Sequence, residues 1–199
     1  MSNYRPTSIL TSFSKIFGKV IQTGLLKHLT DHIILSKEQY GFRTKLNTDN
    51  VTYQLTNKIL NALNNNLLID GIFCDLKNLD CFNHKILLSK LEFYGITGNH
   101  YKLYKPYLTN RYQRALLHNE NSNITTSIWA KTEHVVPQVS VLGPLLFHIF
   151  INNLPKFVID KSVPILFVDG TSILLSHSNP TNFNNNINTV FKILSDWFK

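Results

Sequence analysis

The chain has 199 residues, 43% of them hydrophobic and 12% aromatic, enough apolar mass to bury a core and to exclude a disordered tail. Twenty Lys and Arg against twelve Asp and Glu leave a formal charge of +8, a mild pointer to a polyanionic partner. Cys74 and Cys81 form no CxxC pair and no cationic-then-apolar leader opens the chain. A secreted disulfide scaffold and a structural zinc site are therefore not expected, and the chain reads as intracellular, in nucleus or cytoplasm.

Apolar residues at Ile9, Phe13, Ile16, Phe17, Val20, Ile21 and Leu25 recur at three-and-four spacing and predict an amphipathic helix over 8–28. Asp49 is expected to cap a second helix that turns Val51, Leu55, Ile59 and Leu63 toward the core and breaks near Asn65 in an Asn-rich run, where side-chain amides compete with the backbone. The run LLIDGIFCDLK suits a buried strand with Asp75 at its C-terminal end. Helices follow over 84–94, stopped by Gly95, and over 99–109. Residues 111–136 hold two or three short β-like runs around the polar loop HNENSNITT. A loop bounded by Pro137 leads into a helix over 141–153, and a last helix covers about 181–198. The longest apolar stretch, VLGPLLFHIFINNL, is broken by Pro144 and His148 and is too short to span a bilayer, so no membrane role is expected.

Between those last two helices lies ILFVDGTSILL. Asp-Gly between two strand-like runs is a strong hairpin signal, because a two-residue type I′ loop needs positive φ at both central positions. On that reading Asp169 is a turn residue. The competing reading makes it a metal ligand, because two-metal nucleotidyl transfer needs carboxylates at neighbouring strand ends to hold Mg2+ ions about 3.5–4 Å apart. Asp75 also ends a strand, and its carboxylate is expected within about 8 Å of that of Asp169. Helices interleaved with non-adjacent strands and a hairpin give an α+β class with a small antiparallel sheet covered by helices.

Five blocks in order, NYRPTSILTSFSKIFGKVI, QYGFR, IFCDLKNLDCFNH, PQVSVLGPLLFHIFINNLP and ILFVDGTSILL, resemble the reverse transcriptase domain of jockey-type non-LTR retrotransposons. The resemblance covers essentially the whole chain. It implies an RNA-directed DNA polymerase with a palm-like sheet and a helical fingers-like N-terminal part, split as 1–66 and 67–199. It also implies RNA template, DNA primer and deoxynucleoside triphosphates as partners, and Mg2+ as cofactor with Mn2+ as the alternative. Asp75 and Asp169 match the catalytic, metal-binding carboxylates. Gln138 and Ser140 match a block lining the nucleotide and template pocket, and Phe167 matches the aromatic before the hairpin aspartate. Leu79 or Asp80 falls where the family usually has an aromatic that blocks a ribose 2′-hydroxyl. Arg43 matches a fingers arginine for the incoming triphosphate, in keeping with the affinity of guanidinium for phosphate, and Arg5 is a weaker match for backbone contact.

Three departures fall on the site. Gly170 stands where the family has a second hairpin aspartate, Val139 replaces the glycine after Gln138, and the first palm block is one residue short. They imply a degenerate copy of impaired activity, and the chain's end inside a helical pattern suggests a partial one without a thumb. The alternative is a non-catalytic, basic nucleic-acid-binding remnant. His28 and His32 lie one helical turn apart but lack the Glu of a zincin motif, and Cys74 reads as a small buried thiol. The oligomeric state is not legible.

Overall fold

The computed structural model describes residues 8–41, 43, 46–75, 83–109, 111–118, 124–132, 140–168 and 170–198; the side chains of Asp75, His118 and Thr132 lie outside that description. Helix α1 spans Ser12–Asp31 and starts where the Thr11 hydroxyl accepts the Ser14 amide, satisfying one of the donors a first turn leaves open. Its C-terminal half buries Ile21, Leu25 and Leu29. The N-terminal part of the expected stripe does not follow: Ile9 is 90% exposed and Phe13 87%, with Ile16, Phe17 and Val20 also exposed. The amphipathic pattern thus extends beyond the turns that find a packing partner among the described residues.

Helix α2 covers Thr48–Asn64, and its cap is Asn47 rather than Asp49: Asn47 and Asn50 exchange side chain-to-backbone bonds in a capping box. Leu63, expected in the core, is exposed, whereas Ala62 is buried. Strand β1, Leu68–Asp75, ends at the residue expected to end it. It is an edge strand, however, not a buried one. β1, β7 (Gly170–His177) and β6 (Val163–Phe167) form an antiparallel sheet in the order β1-β7-β6, so β1 has a single hydrogen-bonded neighbour in it, and Leu68 and Phe73 stay exposed.

Asn83 caps α3, His84–Phe93, and Gly95 at φ +83° ends it, a left-handed conformation that glycine adopts without a Cβ penalty. Helices α4 (Gly98–Thr109), α5 (Gly143–Ile151) and α6 (Leu154–Val158) follow, and α7, Pro180–Trp197, is capped by Asn179, which accepts from the Thr181 and Asn182 amides. Between α4 and α5 run the short antiparallel pairs β2 (Arg111–Gln113) with β5 (Ala130–Thr132) and β3 (Leu116–His118) with β4 (Ile124–Thr126).

The core lies where α1, α3, α4 and α5 meet and reaches the sheet, with Leu29, Leu87, Leu91, Leu146, Ile149, Leu154 and Ile173 fully buried. Helix α7 packs on β7 and β1, and α2 on β1 and β6. Two polar ties lock the helices. Lys90 Nζ donates to the Phe150 carbonyl and to Asn153 Oδ1 (2.7 Å) and lies 4.9 Å from the Phe150 ring centre and 5.4 Å from that of Trp197. Burial pushes its amine down to about 8. Asn152 Nδ2 donates to the Ile34 carbonyl and the Tyr94 hydroxyl while its Oδ1 accepts the Ser36 amide. This clamps the turn after α1 to the end of α5.

Candidate active site

The strand register sets the geometry. Asp75 is the Cα partner of Gly170, and Gly170 is the Cα partner of Phe167, so positions 75, 170 and 167 form one row across three strands at one end of the sheet. Phe167 pairing with Gly170 also corrects the expected turn. The connection between β6 and β7 is the pair 168–169, one residue earlier than an Asp-Gly turn would place it, and Gly170 is already the first residue of β7. The positive φ falls on Val168 at +54°, where a β-branched side chain costs about 1–2 kcal/mol. Asp169 itself lies outside the described residues.

What holds Val168 there is the QYGFR segment. The Tyr40 amide donates to the Leu166 carbonyl at 2.8 Å and the Leu166 amide to the Glu38 carbonyl at 2.9 Å, and Gln39 bridges Leu166 in parallel. Residues 38–41 therefore lie along β6 as a strap. At Gly41 a Cβ would come within 2.6 Å of the Val168 backbone nitrogen, so the strap and the turn meet through a position that only glycine fills without displacement.

Arg43, the expected triphosphate contact, is engaged within its own loop: its Nη1 donates to the carbonyls of Ser36 (3.0 Å) and Gln39 (3.3 Å). Close by, His148 on α5 is 1% exposed, and burial, with the Arg43 guanidinium as second cause, pushes its imidazole down to about 4. Ser140 is buried, and its hydroxyl accepts the Gly143 amide at 3.0 Å, so it shapes the entry to α5. With Leu142, Lys15, Phe17, Tyr107 and Arg111 it borders a cleft of about 100 Å³. Phe167 is half-buried at the end of β6. Leu79, Gln138, Val139 and Arg5 lie outside the described residues.

Sequence reasoning missed the strap, Asn152 and Lys90. For the strap the signal was present, since QYGFR carries a glycine with no turn partner of its own. Three other groups are accounted for locally. His28 Nε2 donates to the Tyr94 carbonyl at 2.8 Å and His32 Nδ1 to the His28 carbonyl at 2.9 Å, so each spends a ring nitrogen on the fold. Cys74 is half-buried rather than buried, and burial raises its thiol pKa, which keeps it poorly nucleophilic. Among the described residues no group of three or more His, Cys, Asp or Glu is arranged to hold a metal ion, and no helix is long and apolar enough to cross a membrane.

The profile of a family described as reverse transcriptase (RNA-dependent DNA polymerase) matches residues 1–198. A probable RNA-directed DNA polymerase from transposon BS of Drosophila melanogaster is 34% identical over 154 residues, 77% of this chain and 16% of that protein. The RNA-directed DNA polymerase from mobile element jockey of the same organism is 29% identical over 177 residues, 88% of this chain and 18% of that protein. The chain thus spans less than a fifth of the length of these relatives. Among solved structures, telomerase from Candida tropicalis in complex with a TWJ fragment of telomeric RNA superposes with a TM-score of 0.57 at 12% identity, over 92% of this chain and 32% of that one. Telomerase from Candida albicans with the same kind of fragment gives 0.55 at 10% identity, over 90% and 32%. At such identities the likeness speaks for the fold alone, an α+β arrangement of helices on small antiparallel sheets. With a family match over nearly every residue, the chain belongs to the reverse transcriptase family, with relatives among the RNA-directed DNA polymerases of jockey-like mobile elements.

Proposed function

We propose that the chain is the nucleotidyl-transfer part of an RNA-directed DNA polymerase of a mobile element, with residues 1–66 as its fingers-like part and 67–199 as its palm. In this copy the metal site is weakened. The observation that carries the reading is the row 75–170–167, which sets Asp75 at a strand end beside the connection that contains Asp169. Hard carboxylate oxygens suit Mg2+, which keeps several waters and needs few protein ligands, so Asp75 and Asp169 fit the ion by chemistry. Bound there with substrate phosphates, the metal would clamp the attacking and leaving oxygens.

The protein's own residues do the rest. Asp75 and Asp169 fix the ligand positions, the strap at 38–41 holds the turn, and Arg43, Gln138, Ser140, Leu79 and Phe167 border the nucleotide. Gly170 occupies the middle of the row without a side chain, so the position best placed to supply a further carboxylate supplies none. A lost carboxylate worth about 3–5 kcal/mol slows the transfer by about 10²–10⁴. The same glycine favours the second reading, a nucleic-acid-binding remnant that no longer turns over.

Primer extension on an RNA template with the purified 199-residue chain tests this. The expected product is a trace at most, lost in Asp75→Ala, while primer–template binding persists and weakens with salt. Extension at full polymerase rates would refute the weakened site, and binding indifferent to salt would refute the nucleic-acid partner.

A further inference from the structure

Asn152, the residue that follows α5, and Arg43 meet at one backbone position. Asn152 is 5% exposed. Its Oδ1 accepts the Ser36 amide at 2.7 Å, and its Nδ2 donates to the Ile34 carbonyl at 2.8 Å and to the Tyr94 hydroxyl at 3.1 Å. Ser36 in turn offers its carbonyl to Arg43 Nη1 at 3.0 Å, and the Gln39 carbonyl accepts from the same nitrogen at 3.3 Å. Asn152 and Arg43 thus hold the two backbone polar groups of a single residue. Helix α5 reaches this loop a second time one turn earlier, where the Arg43 charge adds to burial in lowering the pKa of His148.

A guanidinium carries five N–H donors in a rigid plane. The two on Nη1 are engaged by the carbonyls of residues 36 and 39, so the plane is set by where those carbonyls stand. Among the described residues Nε and Nη2 make no hydrogen bond, which leaves the edge they form for a bidentate phosphate contact. Such contacts tolerate misorientation of only about 10–20°. Gln39 is held by the strap on β6, whereas Ser36 is tied to the helical core through Asn152.

We propose that Asn152 is a positioning residue for the incoming triphosphate: by fixing Ser36 it fixes the plane of Arg43, and so the Nε–Nη2 edge that meets the phosphates, a role that rests on the assignment of Arg43 to the triphosphate under the proposed function. Both N–H donors of Asn152 are already used and its side chain is buried. It therefore acts through Arg43 and not on the nucleotide itself.

The test is a double-mutant cycle on the 199-residue chain, bound to an RNA template with a dideoxy-ended DNA primer and titrated with mant-dATP in Mg2+, so that binding is read by fluorescence without turnover. Arg43→Gln is expected to weaken the nucleotide about twentyfold and Asn152→Ala about fivefold, with the double variant no weaker than Arg43→Gln alone, because two residues that act through one contact are not additive. Affinity for the primer–template should stay at the parent value in all three. Tyr94→Phe removes one bond to Asn152 but leaves Ser36 held, so it should lower the denaturation midpoint and keep parent-like nucleotide affinity. Should Asn152→Ala fail to fold, Asn152→Gln, which carries the amide one methylene further out, takes its place in the cycle. Parent-like affinity in the variant at 152, or full additivity in the double variant, would overturn the proposal and leave Asn152 a structural tie only. Parent-like affinity in Arg43→Gln would remove the triphosphate role of Arg43 as well, and that failure is visible in the single variant without any change at 152.

Discussion

Gly170→Asp is expected to raise Mg2+-dependent primer extension by about 10²-fold over the parent chain, measured as initial rate at saturating primer–template. The new carboxylate would enter the row between positions 75 and 167, where the proposed metal site lacks a donor. At about 1.4 kcal/mol per tenfold, that gain corresponds to roughly 3 kcal/mol of transition-state stabilisation. A Cβ at 170 would meet the Phe167 carbonyl oxygen at 3.3 Å, so the turn must give by a few tenths of an ångström and recovery is partial. Adding Val139→Gly should increase the rate further, because a β-branched residue disfavours any positive φ the loop needs. Asp75→Ala in this background should return the rate to the baseline. A revertant no faster than the parent would mean that position 170 is not where the chemistry fails.

The second large effect concerns acid. His148 takes up a proton in the fold only near pH 4, against 6.5 for an unperturbed imidazole. A depressed folded pKa means that the unfolded chain binds the proton more readily. The stability His148 confers is therefore complete above about pH 6.5 and is lost as pH falls toward 4, by roughly 3 kcal/mol. Carboxylates titrate in the same window, so the comparison is with His148→Leu: denaturant unfolding at pH 7, 6, 5 and 4 should show a shallower decline in the variant. Parallel curves would mean that the imidazole is not the acid-sensitive group.

Much of the architecture was legible because it rests on local chemistry. Helix α3 starts at the expected His84 and stops at Gly95, and Asp75 ends β1 as expected, whereas the caps Asn47, Asn83 and Asn179 emerge only in the structure. What was misread depended on neighbours that a sequence does not display. The residues from Leu68 to Cys74 are apolar enough for a central strand, yet their place at the sheet edge leaves Phe73 exposed. The stripe on α1 is continuous in sequence, but Ile21 is the first of its apolar side chains to be buried. The Asp-Gly pair signals a hairpin, whereas the register pairs Phe167 with Gly170 and moves the left-handed residue to Val168. A local signal gave way there to a tertiary contact, since the strap and Gly41 press on Val168 from outside the hairpin.

The candidate site divides in the same way. The identity of its residues came from motif order, but their roles in the fold did not. Arg43 looks like a free phosphate ligand in sequence and is found bonding Ser36 and Gln39, while Ser140 bonds the start of α5. Phosphate binding by Arg43 would thus draw on a guanidinium already oriented by its loop.

The central claim is that Asp75 and Asp169 share a metal. A crystal structure of the chain with primer–template, a deoxynucleoside triphosphate and Mg2+ tests it most directly. The account predicts the two carboxylates within about 8 Å of each other with a metal ion between them and the triphosphate. Carboxylates on opposite sides of the sheet, with the metal held elsewhere, would contradict it.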